Sequence, residues 1–287
     1  MSGVVTVGVD GSVQSLDAVA HAAREAGHRD AALRVVHALA GPAYLDASLW
    51  ERAEDRLRDE AHQLVDEAVA RARSAAPDVD VSGHVLAGEP LDVLEAQSRS
   101  SELIVVGSRG RGPFKGLLLG SNAAGLAAHG RCPVVVVREQ GDPSGPILLG
   151  VDGSPAGAAA VRFALDEAAA QGARVVALHA WTTWNAPVSP PGDPGEPYAN
   201  LPGMLEDAEH RVLAEALAGT SERWPDVEVE HRTVHSPTRE ALIEASAAAR
   251  LTVVGSRGRG GFKGLLLGSV SQAVLHHAHS PVAVVRG

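Results

Sequence analysis

The chain has 287 residues, which is long enough for about two domains of roughly 140 residues each. It is 45% hydrophobic and 21% charged but only 3% aromatic, so its cores must be built from Val, Leu, Ile and Ala, as in helices packed on buried sheets. The formal net charge of −10 argues against nucleic-acid binding, which draws on clustered Lys and Arg.

A single cysteine, Cys132, excludes an intrachain disulfide and a cysteine zinc cluster and favours a reducing compartment. The opening residues, MSGVVTVGVDGS, lack the basic and apolar regions of a signal peptide. No apolar run approaches the roughly 18 residues that a membrane helix needs. We therefore expect a cytoplasmic protein without a membrane partner.

Two segments of the chain recur almost unchanged. VVTVGVDGS at 4–12 returns as PILLGVDGS at 146–154, and VVGSRGRGPFKGLLLGS at 105–121 returns as VVGSRGRGGFKGLLLGS at 253–269. Such self-similarity is typical of a duplicated structural unit. The chain therefore carries two copies of one domain.

The segment that joins the copies is EQGDPSGP at 139–146, whose composition is typical of an exposed linker. With the boundary near Pro143, we predict one domain at 1–140 and a second at 146–287.

The second copy is longer than the first between matching positions. Asp10 and Gly107 lie 97 positions apart, whereas Asp152 and Gly255 lie 103 apart, and we place the six extra residues in the Pro/Gly-rich stretch 182–203. This stretch follows the second strand of the copy, and ligands of parallel α/β sheets bind at the carboxyl ends of the strands. We expect it to form a lid that orders on binding.

Within each copy, short β-branched runs alternate with helical patterns. In the first copy the order is strand VVTVGV, helix LDAVAHAAREAG, strand LRVVHAL, a charged helix at about 48–75, strand VSGHVLAG, helix LDVLEAQSRS, strand ELIVVG, a helix from about 122, and strand VVVV. This alternation predicts an α/β fold. We expect two tandem doubly wound domains, each a parallel five-stranded sheet in the order 3-2-1-4-5 with helices on both faces. Ligands of such sheets bind outside the carboxyl ends of the strands, where the strand order reverses.

Glycines and a serine recur with fixed spacing after the fourth strand of each copy. The pattern Gly-x2-Gly-x9-Gly-Ser comprises Gly107, Gly110, Gly120 and Ser121, and again Gly255, Gly258, Gly268 and Ser269. Glycines let the backbone approach a ligand, and free amides at the following helix start attract anions. The pattern predicts a phosphate site, although one glycine pair alone would more often be a turn. It matches neither a Walker A loop nor a dinucleotide fingerprint.

Basic residues accompany both loops. The only two lysines of the chain occupy equivalent loop positions beside arginines that we expect to face phosphate oxygens: Lys115, Arg109 and Arg111 in the first loop, Lys263, Arg257 and Arg259 in the second. A solvated charge in an arginine-rich chain is an equally good interpretation of the lysines.

These motifs resemble the universal stress protein family in its tandem ATP-binding form, and the resemblance covers essentially the whole chain. It implies ATP between the first and fourth strands of each domain, with Mg²⁺ held through the phosphates and not by protein side chains. Asp10 and Asp152 match the aspartate near the nucleoside. The backbone at Ala38 and Ala180 matches the segment beside the base.

The resemblance also implies the phosphate contacts, which are Gly110, Gly120 and Ser121 in the first copy and Gly258, Gly268, Ser269, Val270 and Ser271 in the second. The first copy departs from the pattern because Asn122 and Ala123 follow its serine. It therefore lacks the second hydroxyl, and a hydrogen bond to a charged group is worth ~1.5–3 kcal/mol. We predict a C-terminal site that binds about tenfold tighter, unless Asn122 supplies the missing donor.

Several other residues invite hypotheses that the sequence disfavours. His276, His277 and His279 could suggest a metal site, but neighbouring helix positions point to different sides and would give a single metal poor geometry. The preferred interpretation is that these histidines, and His129 in the first copy, complement the dipole at a helix C-terminus. For His37 and His179 a packed, hydrogen-bonded role is preferred to a catalytic one.

Two further alternatives concern single residue types. Asp10 and Asp152 have the alternative role of capping the following helix. Cys132 precedes a proline at a buried strand, and we interpret it as structural.

The predicted function is that of an ATP-binding stress-response regulator that responds to bound nucleotide, with an unknown protein partner. The first alternative is a slow ATPase or nucleotidyl transferase, since phosphates bound with Mg²⁺ could react. Sustained hydrolysis is not predicted, because no general base is evident. The second is a nucleotide-independent scaffold. The apolar strands 134–137 and 282–285 are expected to pair with each other, which would make one chain a pseudo-dimer and leave a homodimer of chains open.

Overall fold

A computed structural model describes most of the chain as one continuous sheet flanked by helices. The described residues are 3–41, 47–110, 119–138, 141–182, 204–259 and 266–287. Within them, ten strands follow one another in the order β3-β2-β1-β4-β5-β10-β9-β6-β7-β8.

The described residues of the first domain form nine elements. They are β1 (Val4–Gly8), α1 (Val13–His28), β2 (Ala32–Leu39), α2 (Ala47–Ala75), β3 (Val81–Ala87), α3 (Pro90–Gln97), β4 (Leu103–Gly107), α4 (Ser121–His129) and β5 (Val134–Val137). All four strand pairings are parallel. The central strands β1 and β4 are runs of apolar residues because helices cover both of their faces.

The second domain repeats this arrangement. Its elements are β6 (Ile147–Gly150), a 3-10 turn (Pro155–Gly157), α5 (Ala158–Gln171), β7 (Val175–Trp181), α6 (Met204–Ala216), α7 (Thr220–Arg223), β8 (Val229–His235), α8 (Thr238–Ser246), β9 (Leu251–Gly255), α9 (Ser269–His277) and β10 (Val282–Val285). Each domain has the strand order 3-2-1-4-5 when its strands are numbered separately. The predicted fold and strand order are therefore confirmed.

The two half-sheets meet through their last strands. β5 and β10 pair antiparallel, with Val282 opposite Val136 and Val284 opposite Val134. Every residue of the two strands is at most 3% exposed. The pairing expected from their apolar sequences is confirmed, and it makes the chain an internal pseudo-dimer.

The predicted insertion falls between β7, which ends at Trp181, and the first described residue of α6, Met204. The structure of residues 183–203, to which the lid hypothesis applies, lies outside the described part of the chain.

The linker is exposed at Asp142, Pro143 and Ser144, yet hydrogen bonds fix it to the second domain. The Asp142 amide donates to the Ala249 carbonyl over 3.1 Å, and the Arg250 Nε donates to the Gly145 carbonyl over 2.7 Å. The two domains are therefore joined by a docked segment as well as by the sheet.

Two arginines cross the domain interface at equivalent positions. Arg138 follows β5 and donates to the carbonyl oxygens of Leu275, over 2.9 Å, and His276 in the last turn of α9. Arg286 follows β10 and donates to the Ala128 carbonyl in the last turn of α4. Each guanidinium satisfies carbonyl groups that a helix end leaves unpaired and complements the helix dipole. Each domain thus caps a helix of the other.

Charged side chains are buried where α1 packs against α5. Glu25 is 4% and Glu167 is 1% exposed, and they occupy equivalent positions of the two copies. The Gln171 amide donates to Glu167 over 2.8 Å and to Glu25 over 3.2 Å, while Arg29 pairs with Glu167 and lies over the Phe163 ring. The interface is therefore held by polar bonds between the domains as well as by the apolar core.

His21 lies at the edge of this cluster, where the second domain has Phe163. Its Nε2 is 3.7 Å from Glu25 Oε1, which is too long for a hydrogen bond. Burial lowers the pKa of His21 below its usual value, with nearby Glu25 opposing and Arg24 and His28 reinforcing the shift. The folded protein therefore favours the neutral imidazole.

The stability of the fold should depend on pH through His21. The unfolded chain takes up a proton on this side chain at about pH 6.5, whereas the folded chain does so only at lower pH. The contribution of His21 to the free energy of unfolding should be complete above that pH and decrease as pH falls below it. His21→Phe should flatten this dependence in urea unfolding between pH 5 and pH 8, while His62→Gln, at an exposed histidine, should not. An unchanged slope in His21→Phe would contradict the assignment.

Candidate functional site

Each domain has a cavity at the carboxyl ends of its central strands. In the first domain β1 lies between β4 and β2, and in the second β6 lies between β9 and β7. The cavities measure about 480 Å³ and about 770 Å³ respectively, within the range of ~300–1,000 Å³ that is typical of small-molecule sites. Both lie at the topological switch point, where doubly wound sheets bind ligands.

The predicted ligand contacts that the structure describes line these cavities. The first cavity includes Asp10, Ala38, Gly107, Arg109, Gly110, Gly120, Ser121 and Asn122. The second includes Asp152, Ala180, Gly255, Arg257, Gly258, Gly268, Ser269, Val270 and Ser271. The structure thus brings each predicted set together, while the role of these residues in binding nucleotide stays a prediction. Arg259 also lines the second cavity, whereas Arg111, Lys115 and Lys263 lie outside the described residues.

The aspartate after the first strand of each domain organises a tight turn. Asp152 Oδ1 accepts from the Ser154 amide over 2.9 Å, and Gly153 between them adopts a φ of 68°, which favours glycine. The Ser154 hydroxyl then accepts from the Gly157 amide over 3.2 Å. The serine caps the helical turn, so the capping role considered for the aspartate belongs to its neighbour.

Domain one has the same construction. Asp10 Oδ1 accepts from the backbone and the hydroxyl of Ser12, over 3.0 and 2.6 Å. The Ser12 hydroxyl caps α1 by accepting from the Ser15 amide. The turn is therefore a property of the repeated Val-Asp-Gly-Ser sequence and not of one domain.

The same aspartate holds the glycine loop. Asp152 Oδ2 accepts from the Arg259 amide over 2.8 Å, so one carboxylate joins the end of β6 to the loop after β9. A Cβ atom at Gly258 would overlap Asp152 Oδ2, and one at Gly110 would overlap Asp10 Oδ2. The loop backbone therefore lies directly against the aspartate, and a side chain at either glycine would displace the carboxylate.

The last glycine of each pattern has a different role. Gly120 and Gly268 are the N-cap residues of α4 and α9 and have φ values near −70° that any residue can adopt. A Cβ atom at Gly268 would lie 3.5–3.7 Å from Ser256, Arg257 and Ser271, which is ordinary contact. The absence of a side chain there leaves the helix N-terminus open to the cavity.

The hydroxyl that distinguishes the second domain is already engaged. Ser271 Oγ donates to the Gly255 carbonyl over 2.6 Å and is 4% exposed. Its counterpart, Ala123, lacks this bond. The Ser271 hydroxyl thus links α9 to the end of β9 by a hydrogen bond, and it would have to rotate to donate to a phosphate.

A second difference between the cavities involves residues that the sequence analysis did not select as ligand contacts. In domain two His179 and Glu209 line the cavity and form a bond of 2.6 Å between Nε2 and Oε2. Trp181 also lines it and stacks on His235 with ring centroids 4.4 Å apart. Glu209 lies in a charged helix, where carboxylates usually face solvent, so the signal that could have found it is the comparison of the two copies.

The structure also shows the environments of three further histidines and of the cysteine. His37 Nδ1 lies 2.8 Å from the Val9 carbonyl, in agreement with a packed role. His129 Nδ1 lies 2.9 Å from the Gly125 carbonyl near the end of α4. Burial lowers the pKa of His276, which favours its neutral form. Positive charge at the C-terminal end of α9 is supplied by Arg138, which donates to the Leu275 and His276 carbonyls. Burial raises the pKa of Cys132 to about 11, which favours the thiol.

The described residues contain no group of three or more His, Cys, Asp or Glu side chains arranged to hold a metal ion. None of the described helices has both the length and the apolar character needed to cross a membrane.

The fold and the paired cavities define a tandem doubly wound α/β protein with one glycine-loop cavity per domain. A model of the universal stress protein family matches residues 1–138 and 144–286. The chain therefore belongs to the universal stress protein family.

Whole-length relatives have the same tandem organisation. Two universal stress proteins of Mycobacterium tuberculosis are each 38% identical over 98% of this chain and over 94% and 96% of their own lengths. A solved universal stress protein from Archaeoglobus fulgidus superposes with a TM-score of 0.74 at 20% identity, covering 100% of this chain and 99% of its own. The last similarity supports the fold alone.

Gly258→Ala should detach the second loop from the aspartate. The new Cβ would displace the Asp152 carboxylate, and the Arg259 amide would lose its acceptor. The hydrogen exchange of that amide, measured by NMR, should accelerate. Gly268→Ala is the matched control, because its Cβ meets only ordinary contacts, and the protection of the Arg259 amide should persist. Equal protection in both variants would contradict the close approach.

Proposed function

We propose that the protein is an ATP-binding regulator with one nucleotide site in each domain. The observation that carries the proposal is the repeated geometry of the two cavities. Each combines an open helix N-terminus, a glycine loop and a buried strand end at the switch point of a doubly wound sheet. In this proposal bound nucleotide stabilises one conformation that a protein partner of the cytoplasm reads, since a ligand shifts populations by differential affinity.

The anionic end of the ligand is assigned to the starts of α4 and α9. The first amides of a helix have no partners within the helix, and the helix dipole favours negative charge there. Arg109 and Arg257 are exposed residues that line the corresponding cavities. Their guanidinium groups add positive charge where phosphates would lie, in a chain whose net charge is −10.

The nucleoside end is assigned to the opposite side of each cavity. Adjacent strands lie ~4.8 Å apart, so the end of β7 is about 10 Å from the end of β9. This separation suits a molecule with phosphates at one end and a base and sugar at the other. Mg²⁺ would then be bound through the phosphates.

Calorimetric titration with ATP and Mg²⁺ tests the proposal. We expect two sites. The domain-two site should be tighter by about tenfold, a ratio that corresponds to ~1.4 kcal/mol, when the Ser271 hydroxyl turns from the Gly255 carbonyl to the phosphate; equal affinities would show that it keeps its bond to Gly255. Gly268→Asp should abolish the tighter site and Gly120→Asp the weaker one, because each carboxylate would occupy the anion position at a helix start. Gly268→Asn and Gly120→Asn are the matched controls, since Asp and Asn cap helices equally well and differ in charge.

Each outcome of the titration discriminates between the alternatives. Binding weakened much more by Asp than by Asn supports a phosphate at the helix start, and equal weakening by both contradicts it. No binding by the wild type, with no nucleotide in the purified protein, would favour the scaffold. Steady release of phosphate during the titration would favour the slow ATPase.

A further inference from the structure

A buried carboxylate distinguishes the domain-two cavity from the domain-one cavity. Pro225-Asp226-Val227 aligns with Pro77-Asp78-Val79, and the same register aligns Glu209 with Ala61. Both positions are 4% exposed. Duplicated helices therefore present a methyl group in one domain and a carboxylate in the other.

Hydrogen bonds hold the carboxylate in a defined orientation. His179 Nδ1 lies 2.8 Å from the Val151 carbonyl; a carbonyl only accepts, so Nδ1 must carry a proton. A proton on either His179 Nε2 or Glu209 Oε2 then makes the 2.6 Å contact between these atoms a hydrogen bond. The pair is therefore held in one orientation beside β7, because both side chains are at most 6% exposed.

The pair lies at the nucleoside side of the cavity. His179 immediately precedes Ala180 near the end of β7, and β6 separates β7 from β9 and its phosphate loop. Glu209 itself lines the cavity. The Glu209 carboxylate would repel a phosphate group placed at this side of the cavity. A hydroxyl or amino group placed there could instead donate a hydrogen bond to it.

We propose that Glu209 is a specificity-determining residue of the domain-two site. It accepts a hydrogen bond from a neutral donor on the nucleoside, either a sugar hydroxyl or the exocyclic amino group of the base. The inference rests on the proposed function, because it assigns selectivity to the same site. Domain one, with Ala61, lacks this selectivity, so the two sites of one chain discriminate differently between nucleotides.

A purely structural role is the competing explanation. A buried His-Glu pair that only fastened α6 to β7 would affect stability and leave the choice of ligand unchanged. Two substitutions separate these roles. Glu209→Gln keeps an oxygen acceptor for the ligand and an amide that donates to His179 Nε2. Glu209→Ala removes the acceptor and reproduces the residue of domain one.

The experiment measures nucleotide affinities of the full chain in a Gly120→Asp background, which leaves only the domain-two site. The probes are ATP, ITP, which lacks the amino donor, and 2′,3′-dideoxy-ATP, which lacks both sugar donors. With Glu209, loss of the relevant donor should weaken binding about tenfold or more. Glu209→Gln should retain most of this ratio, and Glu209→Ala should reduce it to that of the domain-one site, which is measured in a Gly268→Asp background. The domain-one ratio should stay the same whichever residue occupies position 209.

The outcomes separate this inference from the proposed function. The weakened analogue identifies the donor as base or sugar, and either result supports the inference. If ATP binds but the ratios are the same with Glu209 and Ala, Glu209 does not set specificity, whatever its effect on stability. If none of the nucleotides binds the wild type, the proposed function itself has failed.

Discussion

The antiparallel pairing of β5 with β10 is the constraint on which the arrangement of the molecule depends. Each half-sheet ends in a four-residue apolar strand, and an exposed apolar edge with unpaired backbone groups tends to pair with another strand. Pairing the two edges removes both at once. It also brings α1 against α5 and places Arg138 and Arg286 beside the helices of the opposite domain. The polar bonds across the interface follow from this one pairing.

The pairing also links the cavities to the interface. α4 and α9 begin at the glycine loops and end at the arginines that the opposite domain contributes. The amides of the Ser108 and Ser256 turns donate to the Val137 and Val285 carbonyls at the ends of the paired strands. The wall of each cavity therefore includes parts of the chain that the domain contact holds in place.

Much of this architecture could be predicted from the sequence because it depends on local patterns and on repetition. The alternation of apolar strands and helices gives the parallel sheets, and the apolar runs at 134–137 and 282–285 indicate their junction. The glycine spacing locates the residues that line each cavity. The cross-domain caps were not predicted, since the pairing of Arg138 with α9 depends on a contact between residues 137 positions apart. Similarly, the sequence around Glu209 resembles an exposed charged helix, and only the fold shows that this side chain is buried beside His179.

The two copies have diverged where the structure permits it. At Gly110 and Gly258 a Cβ atom would overlap the carboxylate of Asp10 or Asp152, so a substitution there would displace a group that lines the cavity. At the opposite side, a helix position accommodates either Ala61 or Glu209 at equal burial. A methyl group requires no partner, whereas a buried carboxylate must be hydrogen-bonded, and His179 provides that bond. Both domains have a histidine at the position that bonds Glu209, namely His37 in the first and His179 in the second. The single difference between Ala61 and Glu209 is therefore enough to add a carboxylate to one cavity while its glycine loop stays the same.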